Sequence, residues 1–240
     1  MADPVPDSQS TDVTLKRQAA RDALSLLPER GIVGLGSGST ATLFIEELAE
    51  LVARGRELKG VATSELSRKN AERLGIEVLP DSGPWAIDIT VDGADEVTPR
   101  LELIKGGGGC QTREKIVSHA SRRNIILVDE SKLSERLGEK RAVPVEVLRF
   151  GHLATAERLD TFGNARLRAG PDGKPTLTDA GNLLYDLVTG PIDDPVSLER
   201  ALQALPGVVE TGLFLGRADV VIVASTRGTR FLKRSGVDKR

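Results

Sequence analysis

The sequence predicts an α/β protein, in which a mostly parallel sheet with helices on both faces is followed by a smaller α+β unit. Three observations predict it. Short apolar runs alternate with amphipathic helical segments from about residue 15 to 128, and this rhythm changes after Pro144. A later apolar run, Ala218–Ala224 (ADVVIVA), suits the interior of the first sheet, so the chain is expected to return there.

Residues 1–10 (MADPVPDSQS) read as a disordered lead-in. Thr11 or Asp12 then caps a helix with Leu15, Ala19 and Ala23 on one face, Ala20, Leu24 and Leu27 beside them, and Pro28 to end it. Ile32–Leu35, bounded by glycines, reads as a buried strand. The next helix places Phe44, Leu48, Leu51 and Val52 at i, i+4, i+7 and i+8. A strand at 59–63, a helix at 65–74, short strands at 76–79 and 86–91, a strand at 101–105, a helix at 111–121 and a strand at Asn124–Val128 complete the series. After Pro144 come β-like Val145–Leu148, a helix at 152–160, β-like pieces at 165–168 and 183–187, a helix at 195–204 and a strand at Val208–Phe214. That order is βαββαβ, a ferredoxin-like sandwich. The expected partition is a Rossmann-like domain, 11–144 with 217–240, and a ferredoxin-like domain, 145–216.

Composition removes several classes of function. A formal charge of −2 and 3% aromatic residues supply neither a basic footprint nor stacking platforms for nucleic acid. The lone Cys110 excludes an internal disulfide framework, and two histidines, His119 and His152, without ligand-like spacing make a His-rich metal site improbable. Met1–Thr11 shows no positive region followed by an apolar one, and no apolar run approaches a membrane span of roughly 20 residues. A soluble cytoplasmic protein is expected.

Ligands of parallel sheets collect at the carboxyl ends of the strands, and three segments after expected strands carry chemistry. In Gly34-Leu35-Gly36-Ser37-Gly38-Ser39-Thr40, glycines let backbone approach an anion, and the next helix offers free N–H groups and its positive end. Ser39 and Thr40 can cap that helix or bind ligand. Gly36–Ala41 also fits a dinucleotide fingerprint, with Glu65 as a possible acidic partner, but the pattern is weak alone. In Val91-Asp92-Gly93-Ala94-Asp95-Glu96, three carboxylates crowd into five residues, which suits proton transfer. The run Lys105-Gly106-Gly107-Gly108-Gly109 costs folding entropy that close approach to a ligand would offset. Lys105 can neutralise the carboxylates and polarise a substrate oxygen. Glu114 follows one turn into a helix, where by itself it reads as an ordinary macrodipole partner. Cys110 reads as loop filler, and both histidines as structural or surface residues.

In this order and spacing the segments resemble the ribose-5-phosphate isomerase type A family. So do Asp129-Glu130-Ser131-Lys132, Pro144-Val145-Glu146-Val147, Asp179-Ala180-Gly181-Asn182 and Gly207-Val208-Val209-Glu210-Thr211-Gly212-Leu213-Phe214. The resemblance covers about Leu15 to Ala224. It implies interconversion of ribose 5-phosphate and ribulose 5-phosphate with Glu114 as proton acceptor. It also implies that substrate binds through Ser37, Gly38, Ser39 and Thr40, Asp92, Gly93, Ala94 and Asp95, Lys105, Gly106, Gly107 and Gly108, and Lys132, with Lys16 at the phosphate. Ser37 stands where Thr is frequent, which keeps the hydroxyl, and Cys110-Gln111 replaces a commonly Ala- or Leu-containing pair. Such a reaction needs a base and a stabiliser of the enediolate, a role for Lys105 with glycine-loop N–H groups, and neither nicotinamide nor metal. Asp92 or Asp95 would move protons among the hydroxyls, with their division of labour left open. A homodimer or homotetramer is typical of the family. The alternatives are a nicotinamide-dependent oxidoreductase, which leaves Asp92, Asp95 and the glycine run without a task, and a sugar-phosphate sensor, which would have little use for a base. The leader is also too short for a helix-turn-helix.

Overall fold

The computed structural model describes residues 8–234. Residues 1–7 of the expected lead-in lie outside them, and helix α1 (Ser8–Leu24) begins at Ser8, ahead of the expected cap at Thr11 or Asp12. There follow β1 (Arg30–Leu35), α2 (Gly38–Ala53), β2 (Glu57–Ala62), α3 (Glu65–Arg73) and β3 (Ile89–Gly93). A short hairpin, β4 (Glu96–Val97) and β5 (Leu103–Ile104), leads to α4 (Gln111–Ala120), β6 (Asn124–Asp129) and a 3-10 turn at Glu130–Lys132. The second half contains β7 (Val143–Val147), α5 (His152–Leu159), β8 (Asn164–Leu167), β9 (Leu183–Val188), α6 (Pro195–Gln203), β10 (Val208–Thr211) and β11 (Leu213–Phe214). It ends with β12 (Val220–Ser225) and β13 (Gly228–Lys233).

The main sheet has the order β13-β12-β6-β3-β1-β2. All its pairings are parallel except that of β12 with β13. Strand alternation divides its side chains between two faces. Ile125 and Leu127 of β6 pack with Ala19, Ala20 and Ala23 of α1 and with Phe44, Ile45 and Leu48 of α2. Ile126 and Val128 join Val97, Leu103, Phe214 and Val221 on the opposite face. Val117 of α4 packs there too, against Val61 and Ile87. The expected return of the chain is seen in β12, paired parallel to β6.

Three expectations about strands are corrected. The stretch 101–105 does not extend the parallel sheet, because β5 pairs antiparallel with β4 and β11 in a separate three-stranded sheet. Val208–Phe214 is not continuous either. It breaks at Gly212, whose N–H donates to Pro144 O at 2.7 Å while its carbonyl accepts from Lys105 N–H at 2.9 Å. A Cβ there would lie 2.2 Å from Lys105 O, so only glycine permits the approach. Of the expected 76–79 strand only an isolated bridge, Gly60 to Val78, forms. Neither β4 nor the edge strand β13 was legible in the sequence, one being two residues long and the other largely exposed.

The βαββαβ segment folds as an antiparallel sheet of order β10-β7-β9-β8 with α5 and α6 against it. Its core includes Val143, Val145, Val147, Leu159, Leu187 and Leu202. In the main sheet the chain runs outward from β1 to β2 and then returns to β3 on the other side of β1. The carboxyl ends of β1 and β3 therefore diverge at a topological switch point, where a crevice opens.

Candidate active site

The loops leaving β1 and β3 are locked to each other across this crevice. Gly36 N–H donates to Val91 O at 3.0 Å, and Ser37 N–H to Asp92 Oδ1 at 3.1 Å. A Cβ on Gly36 would lie 2.2 Å from Asp92 Oδ1 and 2.6 Å from Asp92 Cα, so the first loop needs glycine for backbone contact with the second. Ser37, not Ser39 or Thr40, is the N-cap of α2, and its side chain makes no cap hydrogen bond. The Ser37 hydroxyl pairs instead with Thr63 Oγ1 at 2.6 Å. The first turn of α2 is left facing the crevice with its N–H groups uncapped by a side chain, a disposition that favours an anion.

The three carboxylates after β3 separate. Asp92 is buried, with Oδ1 accepting from Gly93 N–H at 2.7 Å as well as from Ser37, and Oδ2 2.9 Å from Lys105 Nζ. Asp95 is half-buried and accepts through Oδ2 from Gly107 N–H at 2.8 Å. Glu96 turns away and is fully buried, accepting from Ser134 Oγ at 2.5 Å and from Gly138 and Lys140 N–H at 3.0 Å each. It holds the 134–140 loop just beyond Lys132 and takes no part in the crevice.

At the centre Lys105 Nζ meets Gly93 O at 2.6 Å, Asp92 Oδ2 at 2.9 Å and Glu114 Oε2 at 3.1 Å. The three side chains are 4%, 3% and 5% exposed. Two carboxylates thus share one ammonium in a nearly dry site. Burial works against the Lys105 charge, but the Asp92 and Glu114 carboxylates outweigh it and raise the ammonium above its ordinary value. The surplus negative charge falls on Glu114. Burial foremost, then Asp92, push it up to about 8 against the pull of Lys105. Its Oε2, though within ion-pair distance of Lys105, has no hydrogen-bond donor aligned with it. A group of this kind takes up a proton readily near neutral pH.

An open crevice is lined by Lys16, Ser37, Gly38, Ser39, Thr40, Gly93, Ala94, Asp95, Lys105, Gly106, Gly107, Gly108, Glu114 and Lys132. Every site residue singled out in the sequence lines it except Asp92, which lies in the layer behind, 2% exposed. The remaining candidates have local tasks. Burial pushes the Cys110 thiol up to about 11, which leaves it unreactive. His119 Nδ1 lies 3.0 Å from Lys115 O, and His152 Nδ1 lies 2.7 Å from the Tyr185 hydroxyl. Glu65 is occupied by Arg113 at 2.9 Å.

Comparison with known proteins bears on the same residues. The family model described as ribose 5-phosphate isomerase A (phosphoriboisomerase A) matches residues 59–228. The chain belongs to this family. A ribose-5-phosphate isomerase A from Thermomicrobium roseum is 47% identical over 222 residues, covering 92% of this chain and 94% of the relative. One from Rhodopseudomonas palustris is 46% identical over 228 residues, covering 92% and 98%. Among solved structures, ribose 5-phosphate isomerase A from Methanocaldococcus jannaschii superposes with a TM-score of 0.86 at 39% identity, over 92% of this chain and 98% of that one. A D-ribose-5-phosphate isomerase in complex with phospho-erythronic acid gives 0.89 at 40% identity with the same coverage. The chain is accordingly an aldose–ketose isomerase that interconverts ribose 5-phosphate and ribulose 5-phosphate.

Sequence reasoning gave no role to Thr63, Glu146 or Arg168, which fasten the elements of the site from outside it. Thr63 directly follows β2, where its hydroxyl gave no signal. Glu146 lies in the smaller antiparallel sheet and Arg168 directly follows its strand β8, 34 and 62 residues in sequence from Thr112 and Gly106, which they hold.

Proposed function

We propose that Glu114 is the base that carries the proton between C2 and C1 of the open-chain sugar. The observation that carries this reading is the Glu114 carboxyl group at the crevice wall, buried, raised to about 8 and 3.1 Å from Lys105 Nζ. Glu114 takes the C2 proton of the aldose. The C–H electron pair becomes the C1=C2 bond, and the carbonyl oxygen gains the negative charge. As Glu114 is neutralised its claim on Lys105 ends, so the ammonium is released to the new oxyanion without travelling. Transfer of the O2 hydroxyl proton to O1 and return of the carried proton to C1, with re-formation of the carbonyl at C2, give the ketose. Asp95 reaches the crevice and handles hydroxyl protons and ring opening. Asp92 stands behind Lys105 and keeps it charged and in place.

The phosphate is assigned to the first turn of α2, Ser37–Thr40, with Lys16 and Lys132 on the same crevice supplying charge. A doubly ionised sugar phosphate does not cross a lipid bilayer unaided, which favours a cytoplasmic enzyme. Phe150, 96% exposed, and Leu153, 68% exposed, favour a homodimer or homotetramer that covers them. The test is conversion of ribose 5-phosphate in excess chelator, comparing the native chain with Glu114→Gln. A loss of several orders of magnitude in kcat is expected. Equal activity would remove Glu114 from the reaction.

A further inference from the structure

The glycine run that faces the substrate is held from behind by a residue of the other sheet. Arg168 follows β8, and its backbone is fixed on both sides: its N–H donates to Leu184 O at 2.8 Å and its carbonyl accepts from Thr176 N–H at 2.8 Å. Its guanidinium grips Asp186 with two donors, Nε to Oδ2 at 2.9 Å and Nη2 to Oδ1. The fork is thereby locked in plane. The remaining nitrogen, Nη1, donates to the carbonyls of both Gly106 and Gly107, each at 3.0 Å.

The direction of those carbonyls has a consequence on the opposite side. The Gly107–Gly108 peptide is trans, so its carbonyl and its N–H point in opposite directions. With Gly107 O turned to Arg168, the Gly108 N–H is turned away from it, and Gly108 is an exposed residue of the crevice wall. No acceptor among the described residues takes that N–H. The neighbouring N–H groups are used within the protein, Gly107 on Asp95 and Gly109 on Gly106 O. Four glycines in a row have no side chains to choose one conformation, so an external contact must do so.

We propose that Arg168, anchored by Asp186, is a positioning residue that aims the Gly108 N–H at the oxyanion formed in the isomerisation. Its charge at the carbonyl end also polarises that peptide and strengthens the N–H as a donor. The inference rests on the enediolate reading of the crevice given above. It predicts that Arg168 acts on the transition state while leaving the phosphate site on α2 as it is.

The experiment measures kcat and KM for ribose 5-phosphate, with inhibition by phospho-erythronic acid and by inorganic phosphate, in Arg168→Met, Arg168→Lys and Asp186→Asn. The carboxylate of phospho-erythronic acid places two oxygens where the enediolate would have them, and inorganic phosphate occupies only the anion subsite. Loss of a well-aimed oxyanion donor costs about 100- to 1,000-fold in kcat, and a donor that is merely misdirected costs less. Arg168→Met is therefore expected to lower kcat about 10- to 100-fold with KM within twofold of native. Phospho-erythronic acid should weaken in parallel and inorganic phosphate should not. Arg168→Lys, which keeps the charge but loses the fork, should recover part of kcat. If Arg168→Met does not fold, Asp186→Asn carries the test, because it frees the guanidinium while keeping the shape of its partner.

Unchanged kcat in the folded variants overturns the proposal. So does a fall in kcat accompanied by equal weakening of inorganic phosphate, which marks a general loss of structure. Glu114→Gln run in parallel separates the two readings. Full activity in that variant removes the enediolate base itself, whereas an inactive Glu114→Gln beside a fully active Arg168→Met removes only the role of Arg168.

Discussion

Glu114 is a carboxyl group placed where its charge is costly, and that cost makes it useful. Burial and the Asp92 carboxylate hold its pKa at about 8 while Lys105 limits the rise. As the proposed base, Glu114 must be ionised to accept the C2 proton, so kcat/KM is expected to increase with pH through about 8 and then level. The pH–rate profile of the free enzyme reports this limb. Asp92→Asn removes a charge that raises Glu114 and leaves Lys105 to pair with Glu114 alone. The acid limb of that variant should move to lower pH, and an unmoved limb would show that another group controls it. The same shift acts on stability. A carboxyl whose folded pKa exceeds its unfolded value binds its proton more tightly in the fold, so its contribution is complete below about pH 4.5 and is lost as pH rises through about 8. Thermal melts across that window should show a downward slope that Glu114→Gln reduces.

Helix α4 carries the proposed base, and its first turn is fixed by a buried acid on a strand of the smaller sheet. Glu146 of β7, 1% exposed, accepts from Thr112 Oγ1 at 2.5 Å through Oε2, and from Thr178 Oγ1 at 2.9 Å and Asn182 Nδ2 at 2.8 Å through Oε1. Three neutral donors converge on one carboxylate, so the charge is solvated by the protein itself. Because Thr112 lies two residues before Glu114, this contact ties the position of Glu114 to the smaller sheet. Glu146→Gln replaces an acceptor by an NH2 group that must face one of these donors. A loss of about 1–3 kcal/mol in a urea titration is expected, and an unchanged midpoint would show that the donors are satisfied elsewhere. Gly212 provides a second connection between the sheets, since its backbone bonds both Lys105 and Pro144.

For the whole molecule, the crevice is lined from the main and three-stranded sheets and braced by the smaller antiparallel one. The parallel sheet supplies the loops at its switch point, and the antiparallel sheet braces them through Arg168, Glu146 and the loop containing Asp179, whose Oδ2 accepts from Glu65 N–H at 3.0 Å. Beside the smaller sheet lies an apolar surface with no partner among the described residues, Leu148, Phe150 and Leu153 at 48%, 96% and 68% exposure. A second copy of the chain would bury it. Phe150→Asp is expected to lower the mass measured by light scattering after gel filtration, with KM for ribose 5-phosphate retained. A native protein that is already monomeric would contradict the proposed assembly.

The sequence by itself determined the alternation of strands and helices, the return of Ala218–Ala224 to the first sheet and the three segments that supply most of the crevice wall, with Lys16 and Lys132 reached through the family resemblance. These are readable because periodicity, glycine placement and charge crowding are local, so each signal lies within a dozen residues of chain. The seven-residue β-like stretch 208–214 misled because its pattern does not reveal that Gly212 must admit the Lys105 carbonyl. Strand β4, and with it the antiparallel pairing of the expected 101–105 stretch, was unreadable for a similar reason, being two residues long and defined by its partner. The separation of Asp92, Asp95 and Glu96 into a support for Lys105, a crevice residue and a loop anchor also belonged to the tertiary structure. Three carboxylates adjacent in sequence have the same chemistry until the fold gives each a different set of donors and a different depth from water. The raised pKa of Glu114 is the clearest case. A first-turn glutamate is ordinary on any helix, and only burial beside Asp92 and Lys105 makes its proton labile at neutral pH.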